Sequence, residues 1–177
     1  MRRAPRSFSA EDLDRLSRLH AEIDERADEV ARRFAGRLAC RRGCCDCCQD
    51  DLTVLEIEAA LILANRDGWS DPRSGPGAPG GCSFLAADGS CRVYRWRPYI
   101  CRTQGLPLRW LTHEPPGEGR SICPLNDSRT APSGVDLDEL DSGSMWTLGE
   151  WEGRLASLQA EASGEFALVR IPLRDLW

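Results

Sequence analysis

Cysteine is the residue type in this sequence that is best suited to chemistry. Nine cysteines occur in 177 residues, and they form a dense group and a dispersed group. The dense group has the spacing C-x3-C-C-x-C-C: Cys40, Cys44, Cys45, Cys47 and Cys48. The dispersed group follows it along the chain: Cys82, Cys91, Cys101 and Cys123. Four thiolates close a stable zinc site or hold an iron–sulfur cluster, so the sequence predicts a thiolate metal centre.

Packing does not explain the dense group, because the same stretch holds arginines, an aspartate and a glycine and has no apolar face. Inert cysteines behave as small buried hydrophobic residues. Cys82 and Cys91 flank Asp88-Gly89, a pair typical of a tight turn, which would bring their sulfurs together. Side chains of adjacent residues tend to diverge, so Cys47 and Cys48 are expected to have different roles. Nine thiols are enough for two four-coordinate sites with one cysteine left unbound, or for one such site and several cysteines that do not bind metal.

Between Cys82 and Arg102, the sequence has four arginines against the single acid Asp88: Arg92, Arg95, Arg97 and Arg102. A zinc ion with four thiolates carries a net charge of about −2, which nearby guanidinium groups would neutralise while donating hydrogen bonds to sulfur. Two other interpretations stay open. In one, the four arginines form a solvated basic turn. In the other, Arg97 and Arg102 bind a carboxylate or phosphate of a cofactor or substrate bidentately.

Composition excludes several classes of protein. The chain has no lysine, so Schiff-base chemistry and the phosphate-binding loop that depends on lysine are absent. It has two histidines and no G-x-S-x-G motif, which disfavours a serine hydrolase. The net charge of −5 disfavours nucleic acid as a partner. The sequence contains no stretch of about 20 apolar residues, so no membrane span is predicted. The polar residues after Met1 are unlike an export signal, which favours a cytoplasmic location and metal ligation over disulfides.

The predicted fold class is α+β, mostly helical, in one domain over residues 1–177. Apolar residues at three- and four-residue steps predict a first helix over 9–39, capped by Ser9, with His20 buried on its apolar side. Further predicted elements follow in order: a helix over 53–67 with a Thr53/Glu56 capping box, a surface loop over 69–81, a hairpin over 82–94, a strand near 106–112, a loop over 127–134, a helix over 144–163, and a tail strand interrupted at Pro172. His113 is predicted to lie on the surface. The cysteine region spans 40–125 and the C-terminal helix and tail span 135–177.

The ordered motifs resemble a known family. These are CRRGCCDCC from Cys40, Glu56 in the next helix, C-S-F-L-x4-G-x-C-x-V-Y from Cys82, and R-P-x-x-C-R from Arg97. Over about residues 38–125 they are similar to the YkgJ-type cysteine-cluster proteins, whose CxxCxxCC domain is associated with zinc or iron chelation. The resemblance implies eight metal ligands: Cys40, Cys44, Cys47, Cys48, Cys82, Cys91, Cys101 and Cys123. Cys45 departs from the pattern and is the odd thiol.

Three hypotheses about function follow. The first is a metal-chelating module whose zinc or iron–sulfur centre is structural or stored. The second is a zinc or iron–sulfur enzyme acting on a small anion or a protein. Bacterial flagellin lysine N-methylases are similar in this domain, although this chain has no glycine-rich nucleotide fingerprint. The third is an adaptor in which the first helix binds a protein partner and the metal only stabilises the fold.

Overall fold

A computed structural model describes residues 4–41, 43–70 and 80–177. Its helices are α1 (Ala10–Arg33), α2 (Glu56–Ala64), α3 (Tyr99–Thr103) and α4 (Glu150–Ser163). Its strands are β1 (Thr53–Leu55), β2 (Leu108–His113), β3 (Pro116–Ser121), β4 (Trp146–Thr147) and β5 (Arg170–Pro172). The predicted α+β class is confirmed. None of the described helices is both long and apolar enough to cross a bilayer.

The first helix begins as the sequence predicts and ends earlier. Ser9 Oγ accepts the backbone N–H of Asp12, which satisfies one of the free donors at the helix start. The helix ends at Arg33 instead of residue 39, and Phe34 caps it. Gly36 then takes a positive φ of 79°, so the chain turns away before reaching the dense cysteines. As predicted, His20 is buried.

The predicted capping box of the second helix is wrong. Thr53 belongs to β1, which pairs antiparallel with β5, and α2 starts only at Glu56. The residue that caps the helix is Glu58, whose Oε2 accepts the N–H of Leu55 at 3.2 Å. Pairing of Thr53 with the distant tail strand moves the start of the helix three residues beyond the predicted cap.

Two short sheets lie around the helices. One is the β1–β5 pair, and the other has the order β3-β2-β4, with β2–β3 antiparallel and β2–β4 parallel. The strand predicted near 106–112 corresponds to β2, whereas β3 was not predicted. The last helix begins at Glu150, because Trp146 and Thr147 pair with β2 instead of extending the helix.

The buried apolar side chains of the described residues form two clusters. The helical cluster contains one face of α1 with parts of α2, α4 and the β2–β4 region, and Trp146 is its largest fully buried member. The cysteine-side cluster contains Cys82, Phe84 and Val93 together with Trp69 and the β5 tail. Trp69 is therefore buried, although it was assigned to a surface loop. Residues 71–79 of that loop lie outside the described residues.

Candidate metal centre

The dense cysteine segment is built from consecutive tight turns. Cys44 N–H donates to the carbonyl of Arg41 at 2.9 Å, and Cys48 N–H donates to the carbonyl of Cys45 at 2.9 Å. Gly43 has a φ of +87°, a conformation that side chains rarely adopt.

The dense segment lies directly against the predicted hairpin. Cys82 N–H donates to the carbonyl of Cys48 at 3.0 Å, beside an isolated antiparallel bridge between Gln49 and Gly81. At the hairpin tip, a Cβ built on Gly89 would lie 3.0 Å from the carbonyl oxygen of Gly43. Backbone hydrogen bonds therefore join the two cysteine groups, which are far apart in sequence.

The hairpin presents two sulfurs in matching local geometry. It turns at Asp88-Gly89 as predicted, with a Leu85–Cys91 bridge closing it. Burial raises the pKa of the Cys82 and Cys91 thiols, and the backbone amides of Phe84 and Val93 oppose that shift because they favour the thiolate. Each thiol is thus influenced in the same way by the amide two residues further along the chain.

Cys101 joins the hairpin sulfurs from α3. Burial raises the pKa of its thiol, and the charges of Cys82, Cys91, Glu58 and Cys47 raise it further. Cys48 has Cys82 and Cys101 among its own electrostatic neighbours. We call Cys48, Cys82, Cys91 and Cys101 the hairpin thiol group.

The adjacent thiols of Cys47 and Cys48 influence each other. Interaction with Cys48 lowers the pKa of Cys47 to about 6, and the same interaction raises the pKa of Cys48. The Cys47 charge also acts on Cys40, Cys82 and Cys101. Cys47 therefore has electrostatic neighbours both in the hairpin thiol group and among the remaining cysteines.

Those remaining cysteines gather around Cys40. Partial burial raises the pKa of Cys40, and the charges of Cys44, Cys123 and Cys47 raise it further. We call Cys40, Cys44 and Cys123 the Cys40 thiol group. Cys45 is half-buried, and its role as the odd thiol stays a prediction.

Asn126, which sequence reasoning missed, holds the Cys40 thiol group together. Its side chain is fully buried; Nδ2 donates to the Cys40 sulfur at 3.4 Å and to the Gly105 carbonyl at 2.7 Å, while Oδ1 accepts the N–H of Ala39 at 2.6 Å. Its own N–H donates to the carbonyl of Cys123 at 2.8 Å. Its position three residues after Cys123 is the one signal in the sequence that could have indicated this role.

Gly105 gives a test of how closely Cys40 is confined. Its φ is +89°, and a Cβ there would overlap the Cys40 sulfur. We expect Gly105→Ala to displace that sulfur and to lower the metal content of the purified protein, measured by elemental analysis. Gly36→Ala is the matched control, because Gly36 has a φ of +79° with nothing within 4 Å of its Cβ position. Equal metal content in the two variants would contradict the close confinement of Cys40.

The sulfurs are neighbours, but they are not in coordination geometry. No three His, Cys, Asp or Glu side chains within 4–41, 43–70 and 80–177 meet as a formed metal site. Four sulfurs around one zinc ion lie about 2.3 Å from the metal. The thiols of each group would therefore have to be drawn together by the ion, by rotation of side chains whose backbone is already placed.

The sequence left Arg97 and Arg102 open as a site for an anionic cofactor, and the structure pairs them with a carboxylate of the chain itself. Arg97 donates to Asp24 Oδ1 at 2.9 Å, and Arg102 donates to Asp24 Oδ2. Both arginines line a cleft of about 380 Å³ that also contains Cys40 and Cys101. An external anion would have to compete with Asp24 for these guanidinium groups.

Two buried glutamates of α2 have different partners. Glu56, which is part of the motif noted above, accepts the N–H and Nε of Arg6 at 3.0 and 2.8 Å. Glu58 accepts N–H groups from Leu55 and Tyr99 and lies 3.2 Å from His20 Nε2. Of the two, Glu58 is the one bonded to the helix that carries Cys101. His113, as predicted, is exposed.

Comparison with protein families agrees with the cysteine pattern. A family model named CxxCxxCC, described as a "putative zinc- or iron-chelating domain", matches residues 39–124. This range contains all nine cysteines and α2 and α3. Neither the curated proteins nor the solved structures contain a match to this chain.

Proposed function

We propose that the protein binds two zinc or iron centres through eight thiolates, a proposal supported by the match of residues 39–124 to the CxxCxxCC family model. The Cys40 thiol group with Cys47 would bind one centre, and the hairpin thiol group would bind the other. Zinc and iron share the preference for four sulfur donors that this arrangement offers.

The observation that carries the proposal is the backbone contact that joins the two cysteine groups, in which Cys82 N–H donates to the carbonyl of Cys48 at 3.0 Å. In addition, the backbone amides of Phe84 and Val93 lower the pKa of the Cys82 and Cys91 thiols, against the effect of burial. A hydrogen bond donated to sulfur stabilises the thiolate, which is the form that binds metal. Donors placed outside the ligands also orient them toward a metal.

Two centres are favoured over one by the way the sulfurs are distributed. Cys123 acts electrostatically on Cys40, whereas Cys91 acts on Cys101. Eight sulfurs suffice for two four-coordinate sites, and Cys47 lies where it interacts with both groups.

Elemental analysis of serine variants purified without oxygen tests this proposal. We expect about two metal equivalents in the wild type if each four-thiolate set closes one mononuclear site. Cys40→Ser and Cys82→Ser should each lose one centre and keep the other. Cys45→Ser is the control and should keep both. An absorption spectrum separates the two metals, since an iron–sulfur cluster is coloured and zinc is not.

Several outcomes would count against the proposal. A wild-type protein that binds neither metal would exclude chelation. Complete metal loss in both the Cys40→Ser and the Cys82→Ser variants would mean that one centre uses both groups. Metal loss in Cys45→Ser would show that the eight ligands are wrongly chosen.

A further inference from the structure

We propose that Glu58 is a positioning residue for the metal ligand Cys101, an inference that rests on the proposed function. Cys101 lies at the third residue of α3, a helix of only five residues. An isolated helix this short is unstable in water, since its few hydrogen bonds do not offset the cost of ordering the backbone. The direction of the Cys101 side chain therefore depends on what holds α3.

Glu58 holds the first turn of α3 directly. Its Oε1 accepts the N–H of Tyr99 at 2.7 Å, and Tyr99 is two residues before Cys101. Its Oε2 accepts the N–H of Leu55, so the same carboxylate caps α2. The residue is 4% exposed, which makes these bonds costly to lose because water cannot replace them.

A buried polar chain joins this carboxylate to the far side of α3. His20 Nε2 lies 3.2 Å from Glu58 Oε1, and His20 Nδ1 lies 3.2 Å from a guanidinium nitrogen of Arg102. Because Arg102 can only donate, Nδ1 accepts and Nε2 carries the proton that is donated to Glu58. Arg102 is the residue after Cys101 and also donates to Asp24 of α1. The residues flanking Cys101 are thus tied to α1 and α2 by one connected network.

The chemistry of the site explains why a carboxylate is needed. Each oxygen of Glu58 faces donors: Leu55 on one side, and Tyr99 with His20 on the other. A glutamine keeps one acceptor oxygen and no charge: in one orientation Tyr99 and His20 lose their acceptor, and in the other Leu55 loses its acceptor while the bond to Tyr99 loses its charge assistance. Glu58→Gln is therefore expected to loosen α3 without changing the volume of the side chain.

The test compares Glu58→Gln with Glu56→Gln, a buried glutamate of the same helix whose partner is Arg6. Both variants are loaded with Co²⁺, whose sulfur-to-metal absorption reports the number of bound thiolates. We expect Glu58→Gln to lose about an eighth of that absorption, one thiolate of the eight in the two proposed centres. Glu56→Gln should keep it.

A second readout separates positioning from general destabilisation. The Co²⁺-loaded proteins are alkylated, and the modified cysteines are identified by mass spectrometry. In Glu58→Gln, Cys101 should react at least several-fold faster than in the wild type, while Cys82 and Cys91 stay protected. Equal exposure of all three thiols would mean a structural role alone and would overturn the inference.

The proposed function and this inference fail differently. If the wild type binds no Co²⁺, the proposed function is wrong. If it binds Co²⁺ and Glu58→Gln matches it in absorption and in Cys101 protection, only the positioning role is wrong. If Glu58→Gln is insoluble, His20→Asn replaces it, since it removes the ring that bonds to Glu58 and to Arg102. Cys101 protection unchanged in that variant also overturns the inference.

Discussion

Removal of the metal is expected to unfold the cysteine-side cluster while the helical cluster stays folded. Structural zinc in small domains contributes apparent binding free energies of about 10–16 kcal/mol, comparable to the whole stability of a typical domain. Here the cysteines concentrate in one place: Cys82 is a buried member of the cysteine-side cluster, and Cys48 and Cys91 pack against it. The loss of free energy should therefore be local.

The helical cluster has a separate source of stability. It is formed by the apolar face of α1, with Leu16, Ile23 and Val30 fully buried, and by side chains of α2 and α4. Stability is not uniform across a protein, and regions with fewer buried contacts open first. The segments 43–52 and 80–94 contain mostly turns and isolated bridges, so we expect them to depend most on metal.

Hydrogen exchange followed by mass spectrometry measures this difference. After chelation, amides in 43–52 and 80–94 should exchange much faster, and those of α1 should keep their protection. Readdition of the metal should restore the slow exchange, which controls for irreversible damage. Uniform acceleration over the whole chain, or an unchanged melting curve after complete chelation, would contradict the expectation.

Arg102→Met is expected to cause the second large effect. Arg102→Met leaves acceptors that Arg102 now satisfies, among them the buried Nδ1 of His20, without a donor, and at about 1–3 kcal/mol for each such group we expect a total loss of about 3–5 kcal/mol. Arg102 donates to Asp24, to the carbonyls of Arg95 and Arg97, and to His20, and its side chain is 3% exposed. At about 2–4 °C per kcal/mol for a chain of this size, the melting temperature should fall by about 6–20 °C.

Arg97→Met is the matched control for Arg102→Met. Arg97 also pairs with Asp24, but its side chain is 18% exposed and water can reach it. Pairs that water reaches contribute about 0–1 kcal/mol, so we expect a fall of at most a few degrees. Thermal denaturation of both metal-loaded variants measures the difference. Equal losses would mean that Asp24, and not burial of Arg102, dominates the network.

Local signals in the sequence predicted the elements that depend on neighbouring residues. The Ser9 cap, the apolar face of α1 and the turn at Asp88-Gly89 are set by side chains within a few positions. Long-range pairing was not predictable in this way. Thr53 was assigned to a helix, and only its pairing with Pro172 in β5 makes it a strand residue.

For the candidate site, the number and spacing of the cysteines indicated thiolate metal chemistry, because clustered thiols without an apolar face are suited to bind soft metals. The tertiary structure decided which thiols are neighbours, through the hydrogen bond between Cys82 and Cys48 and the side chain of Asn126. It also decided that Arg97 and Arg102 pair with Asp24, and that Glu58 bonds to α3. These relations join residues far apart in the chain, and no spacing rule within one segment describes them.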